Sequence, residues 1–186
     1  MKRIAVVLCV LLLLTGCAGT QEQLDRAMAL RSKLLAASGC SFDAVVTADY
    51  GDLSYTFTMN CQGDEQGNLR FSVKEPETIA GISGAVSATG GKLTFDDKVL
   101  TFGLMADGLV TPVSAPWVLL KTLRSGYLTS CGKEGEYLRL SIDDSYADDA
   151  LHLDIWLGEG DLPIQGEIFW QGRRLLSVKV ENFTFL

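Results

Sequence analysis

The sequence predicts an α+β protein built on a strongly curved antiparallel sheet, an incomplete barrel, covered by an N-terminal and a central helix. Three observations carry this. Apolar residues recur at helical spacing between residues 21 and 38. From residue 41 to 184 the dominant apolar period is two, in segments separated by turn residues. A single Pro-led stretch, 116–126, interrupts that run, and without strand–helix alternation the sheet should be antiparallel.

Taken in order, Lys2 and Arg3 precede an unbroken apolar run from Ile4 to Leu14, followed by Leu14-Thr15-Gly16-Cys17. Eleven apolar residues are too few for a spanning helix, which needs about 20, but suit the core of a removed signal peptide. Thr20 and Gln23 fit a capping box. Leu24, Ala27, Met28, Leu34 and Leu35 then mark a helix over 21–38, stopped by Gly39. Strands are expected at 41–49, 53–61, 68–75, 78–87, 91–96, 98–104, 136–143, 150–157, 163–170 and 173–184. Tyr50-Gly51, Gly63-Asp64, Gly90-Gly91, Asp96-Asp97, Gly158-Glu159-Gly160 and Gln171-Gly172 supply turns between them. Pro116 opens the central helix, in which Trp117, Leu120 and Leu123 recur.

The first hairpin yields a register. If Tyr50-Gly51 is a two-residue loop, paired positions sum to 101, and Ala48/Leu53, Val46/Tyr55, Ala44/Phe57, Phe42/Met59 and Cys40/Cys61 all share one apolar face. Cys40 and Cys61 would then form a non-hydrogen-bonded pair with Cα atoms about 4.5 Å apart. That lies inside the disulfide window of roughly 4.4–6.8 Å. Two free thiols packed as small apolar groups are the alternative.

Without residues 1–16 the chain has 170 residues, one domain with its own core. Lys+Arg falls from 16 to 14 while Asp+Glu stays at 23, a net charge of −9. Such a surface repels phosphate backbones, so no nucleic-acid partner is expected, and membrane attachment must come through acyl chains.

Catalysis has little support. The one histidine, His152, sits with Asp154 on the outer face of Leu151-His152-Leu153-Asp154-Ile155. A surface histidine beside a carboxylate accounts for it. Gly81-Ile82-Ser83-Gly84 misses a nucleophile elbow by one residue. Ser130-Cys131-Gly132-Lys133 matches a bare SxxK without opening a helix. The acidic run 143–149 lacks the glycine and glutamate of a calcium loop. No metal site, cofactor or catalytic residue is assigned.

Two resemblances complete the reading. Leu14-Thr15-Gly16-Cys17 resembles the lipobox of bacterial lipoproteins, which implies a signal peptide over 1–16, lipidation of Cys17, a short tether over 17–20, and a domain over 21–186 anchored at the extracytoplasmic face of the cell membrane. Phe71-Ser72-Val73-Lys74-Glu75-Pro76, Gly91-Lys92-Leu93-Thr94-Phe95, the Pro-led helix and the closing Pro163-Ile164…Val178-Lys179-Val180-Glu181-Asn182-Phe183 are similar to the LolA/LppX-type lipoprotein carriers. That implies acyl chains held in the hollow of an incomplete barrel. The apolar face offered for this comprises Phe57, Phe71, Phe95, Phe102, Leu138, Leu140, Ile168 and Trp170 on strands. Leu24, Met28 and Leu35 of one helix and Trp117, Leu120 and Leu123 of the other would cover it. The expected function is non-catalytic binding of a lipid or other hydrophobic small molecule. Its alternative is a module that binds another envelope protein through the same fold, with a solid core.

Overall fold

The structure, a computed structural model, describes residues 18–51, 53–106 and 109–186. The proposed signal peptide and Cys17 lie outside the described residues. Helix α1 (Ala18–Ala36) is followed by β1 (Gly39–Asp49), β2 (Ser54–Asp64), β3 (Leu69–Glu75), β4 (Ser83–Ser87), β5 (Gly90–Phe95), β6 (Lys98–Phe102) and the short β7 (Met105–Ala106) and β8 (Leu109–Val110). Helix α2 (Ala115–Ser125) leads into β9 (Tyr127–Glu134), β10 (Tyr137–Asp143), β11 (His152–Leu157), β12 (Pro163–Trp170) and β13 (Arg173–Phe185). Eleven strands form one antiparallel sheet in the order β6-β5-β4-β3-β2-β1-β13-β12-β11-β10-β9. The two end strands, β6 and β9, do not pair with each other, so the sheet is not a closed barrel.

Alternation sets the faces. On β1, Phe42, Ala44, Val46 and Ala48 are buried, and on β10 and β11 Leu138, Leu140, Ile142, Leu153, Ile155 and Leu157 are. Helix α2 packs on this face and touches β1, β2, β10, β12 and β13. Strands β2 and β10 stand five steps apart, roughly 24 Å in a flat sheet, whereas a helix with its side chains is about 10–12 Å across. Curvature closes that gap. Two glycines let the helix in: a methyl group on Gly166 would lie 2.4 Å from Leu119 Cδ1, and one on Gly63 2.6 Å from Leu120 Cδ2.

Helix α1 packs on β9, α2 and the turn at 159–161. Arg26 Nε donates to Asp161 Oδ1 at 2.9 Å, Arg31 Nε to the Leu123 carbonyl at 2.8 Å, and Arg124 Nη1 to the Leu34 carbonyl at 2.8 Å. Burial lowers the pKa of the Arg31 guanidinium. Its buried face is Ala27, Leu30 and Leu34; Met28 is 44% and Leu35 57% exposed, which corrects the expected Leu24/Met28/Leu35 face. Thr20 lies inside the helix rather than before it, and Gly39 is the first residue of β1 rather than a helix stop.

The first hairpin departs from the expected register by two residues. Tyr50 N–H donates to the Leu53 carbonyl at 2.9 Å, so Tyr50/Leu53 rather than Asp49/Asp52 closes the turn, and Asp49 pairs with Ser54. Cys61 therefore opposes Phe42, and Cys40 opposes Gly63. The two cysteines become diagonal neighbours, which stand about 7–8 Å apart, outside bridging distance. Both are free, buried thiols, and burial pushes both pKa values up. A shift of two preserves side-chain parity, so the apolar face survives the correction. Two further expectations change. Strand 78–87 begins only at Ser83, because Gly81 takes φ +88° and residues 77–79 form a 3-10 turn. Strand β9 was not foreseen.

Candidate functional site: an apolar cleft over β2 to β6

The concave face has two halves. Around α2 it is filled. Over β2–β6 it is not, and there an apolar cleft of about 310 Å³ opens. Its floor is Phe57 from β2, Val73 from β3, Leu93 from β5, and Leu100 and Phe102 from β6. Ile79 and Ile82, in the turn after β3, form one side; Thr111 and Val113, before α2, form the other. The Thr111 hydroxyl donates to the Gly103 carbonyl at 2.8 Å, so its polar group is already engaged. Hydrogen bonds to backbone carbonyls fix the sides. Val73 N–H donates to the Ile82 carbonyl at 2.8 Å, and Tyr50 Oη to the Val110 carbonyl at 3.0 Å.

Glycine shapes the floor. Leu69, Val86, Gly91 and Phe102 form one cross-strand row, and Phe71, Gly84, Leu93 and Leu100 the next. A methyl group at Gly84 would stand 2.7 Å from Phe71 Cζ, and one at Gly91 2.1 Å from Phe102 Cζ. The two rings lie over bare backbone, a role for strand glycines that needs close approach rather than unusual φ.

Of the residues expected to line a hollow, Phe57 and Phe102 do. Phe71, Trp117, Leu120, Leu123, Leu138, Leu140 and Ile168 are buried in the packed core, and Leu24 and Trp170 are half-buried away from the cleft. Phe95 is 49% exposed at the end of β5. Val73, Ile79, Ile82, Leu93, Leu100, Thr111 and Val113 were not singled out. For Ile79 and Ile82 the strand reading of 78–87 hid the turn that points them inward.

A second cavity, of about 280 Å³, lies where α2 meets the β10–β11 loop. Trp117, Val118 and Leu151 line it beside the Lys121–Asp144 ion pair, 3.0 Å long. Trp117 Nε1 donates to the Gly67 carbonyl at 2.8 Å, tying α2 to the β2–β3 turn. Asp144 belongs to the acidic run, and its Oδ1 accepts the Leu151 N–H at 2.8 Å, an ordinary loop closure.

On the convex face His152 Nδ1 donates to Asp143 Oδ1 at 2.7 Å. Asp154, only 6% exposed, accepts Arg139 Nη2 at 2.6 Å and the Ser141 hydroxyl at 2.7 Å. Burial alone would raise the pKa of Asp154; the hydrogen bonds from Arg139 and Ser141, with the nearby positive charge of Arg139, outweigh it and hold the carboxyl below its usual range. The hydroxyl donates to the carboxylate and not to the imidazole, so these groups do not form an activated nucleophile. Ser130 and Lys133 lie on β9, an edge strand, not at the start of a helix.

No protein-family model matches the chain, and no curated protein does. Solved structures with a similar course of the chain include a LolA superfamily protein from Nitrosomonas europaea: 7% identity, TM-score 0.46, with 86% of this chain and 93% of that one covered. Another is a putative outer membrane lipoprotein-sorting protein domain from Vibrio parahaemolyticus (10% identity, TM-score 0.48, 89% and 93% covered). A third is the lipoprotein LppX from Mycobacterium tuberculosis (9% identity, TM-score 0.42, 87% and 93% covered). Two of these proteins, the LolA superfamily protein and LppX, bear the names of the carriers that the sequence motifs resemble.

Proposed function

We propose that this protein is a non-catalytic lipoprotein of the cell envelope, lipid-anchored through Cys17 at the extracytoplasmic face, that holds an acyl chain or similarly apolar group in the cleft over β2–β6. One observation supports this above the rest: a concave site of about 310 Å³ with no polar group turned into it. Water in such a site lacks the two to four hydrogen-bonding partners that would retain it, and an apolar ligand gains about 25 cal/mol per Å² removed from water before ordering costs. The absence of a polar anchor favours a flexible chain over a ligand needing oriented hydrogen bonds.

The test is displacement of a fluorescent fatty-acid probe. Leu93→Trp, which places bulk on the cleft floor, should reduce probe binding at least about tenfold. Equal binding by Leu93→Trp and the parent, or none by either, would remove the reading. Anchoring is tested separately: Cys17→Ser should leave an uncleaved precursor that no longer partitions into detergent as a lipoprotein. Cleavage before residue 17 in that variant would refute it.

A further inference from the structure

The two edges of the sheet differ. Helix α1 packs on β9, whereas β6 has no neighbour beyond it among the described residues. Asp96 and Asp97 take φ of 49° and 60°, so the β5–β6 loop is a two-residue turn of the hairpin-compatible, positive-φ kind. Phe95 and Lys98 close it as a hydrogen-bonded pair, and pair types alternate from there. Lys98, Leu100 and Phe102 consequently spend their backbone groups on β5. The N–H and C=O of Val99 and Thr101 point outward, away from the sheet. Natural edges are usually blunted by a bulge, proline or inward charge. Here there is neither bulge nor proline, and the one charge, Lys98, is confined to the first position beside the turn; beyond it each face shows an apolar residue, Val99 65% and Leu100 62% exposed.

We infer that β6 pairs with β6 of a second copy of this chain, antiparallel, about a two-fold axis at Leu100. A two-fold arrangement demands that one patch complement itself, and this strand does. With Leu100 opposite its own copy, Val99 meets Thr101 of the partner, and Thr101 meets the partner's Val99. Those are the residues whose backbone groups point outward, so each of the two pairs exchanges two bonds and four hydrogen bonds form in all. The side chains agree with the backbone. Val99 lies beside Thr101, a β-branched cross-strand pair. Leu100 lies against Leu100, and Lys98 opposes Phe102 instead of another lysine. A shift by one residue would turn Val99 and Thr101 toward backbone groups already committed to β5.

The contact also completes the cleft. Leu100 forms the floor at its open margin, and the copy's Leu100 would continue that floor, joining two clefts into one apolar trough. Five paired residues fall short of the roughly 1,200 Å² that stable complexes bury, so the dimer is concentration-dependent. The inference does not require the cleft to hold a ligand.

Cysteine scanning tests it, using the full-length protein in detergent with Cys131→Ser to remove the one partly exposed thiol among the described residues. At a non-hydrogen-bonded site, opposed Cα atoms lie about 4.5 Å apart, within disulfide reach. Leu100→Cys should therefore form a linked dimer with oxidised glutathione. Val99→Cys, equally exposed but displaced from its own copy, should not. Adding Val99→Pro, which deletes an outward N–H without touching the β5 ladder, should lower the Leu100→Cys link at least about tenfold. Equal linking at 99 and 100, or none at 100, overturns the inference. Absence of probe binding by the parent protein, with linking at 100 intact, would instead count against the ligand reading alone.

Discussion

Strands β10–β13 and strands β5–β6 obey the same alternation, yet only the first set is filled. Around α2, Leu119 presses on Gly166 and Leu120 on Gly63, and every residue from Ala115 to Leu123 except Lys121 is buried. On β5 and β6 the inward Leu93, Leu100 and Phe102 are as apolar, but Leu93 and Phe102 are only half-buried and Leu100 lies open. Interior face and occupied interior are therefore separate properties. Alternation determines which side chains face inward; a helix long enough to reach them determines whether they meet anything. Helix α2 has eleven residues, about 16 Å, and it is placed over β1, β2, β10, β12 and β13. Among the described residues no helix makes comparable contact with β5 or β6.

Truncation should separate the halves most sharply. Leu119→Ala empties a packed site and should cost about 3 kcal/mol or more in urea unfolding. Leu100→Ala, at an exposed position, should stay within about 0.5 kcal/mol. Equal losses would show that the open half is packed after all. A charge test follows. Asp154→Asn should destabilise at pH 7 by about 1 kcal/mol, a figure reduced because Arg139 is partly exposed. Because the folded carboxyl is held low, its contribution is complete above the ordinary aspartate pKa and is lost as pH falls through the folded value. Parent and variant should converge there; a difference that persists in strong acid would locate its cause elsewhere. The smallest effect is expected where bulk enters open space. Leu93→Trp should leave the melting temperature nearly unchanged, whereas Leu119→Trp should overpack its site by about 1–3 kcal/mol. A marked drop for Leu93→Trp would mean that the cleft closes in solution.

Much of this was legible in the sequence, for identifiable reasons. Period two and turn residues located most strands, and Pro116 located α2. The turn's position was not legible: Tyr50-Gly51 looks like the two-residue turn, and only the Tyr50–Leu53 bond shows that it lies one residue further on. That single error removed the Cys40–Cys61 pairing while leaving both residues on the buried face. Strand β9 has no alternation because as an edge it lacks a consistently buried side; Tyr127, Thr129 and Ser130 are all exposed. On α1, Met28 and Leu35 carry more apolar surface than Ala27, so composition favoured the wrong stripe. The cleft was least legible. Phe57 and Phe102 stood out as large aromatics, but Ile79, Ile82 and Val113 enter through turns, and turns have no period.

Helix α1 begins at Ala18, one residue after the cysteine proposed to carry the lipid. Of its 19 residues, those from Arg26 onward are held on the body of the domain at Asp161, Leu123 and Arg124, and the eight before them, about 12 Å of helix, lead from the cysteine to that first contact. An acylated chain of this design would stand on a stem instead of trailing on a leash. The domain would be held at one height above the bilayer and through one narrow range of angles, so that its reach along the membrane becomes a question of pivot rather than of search.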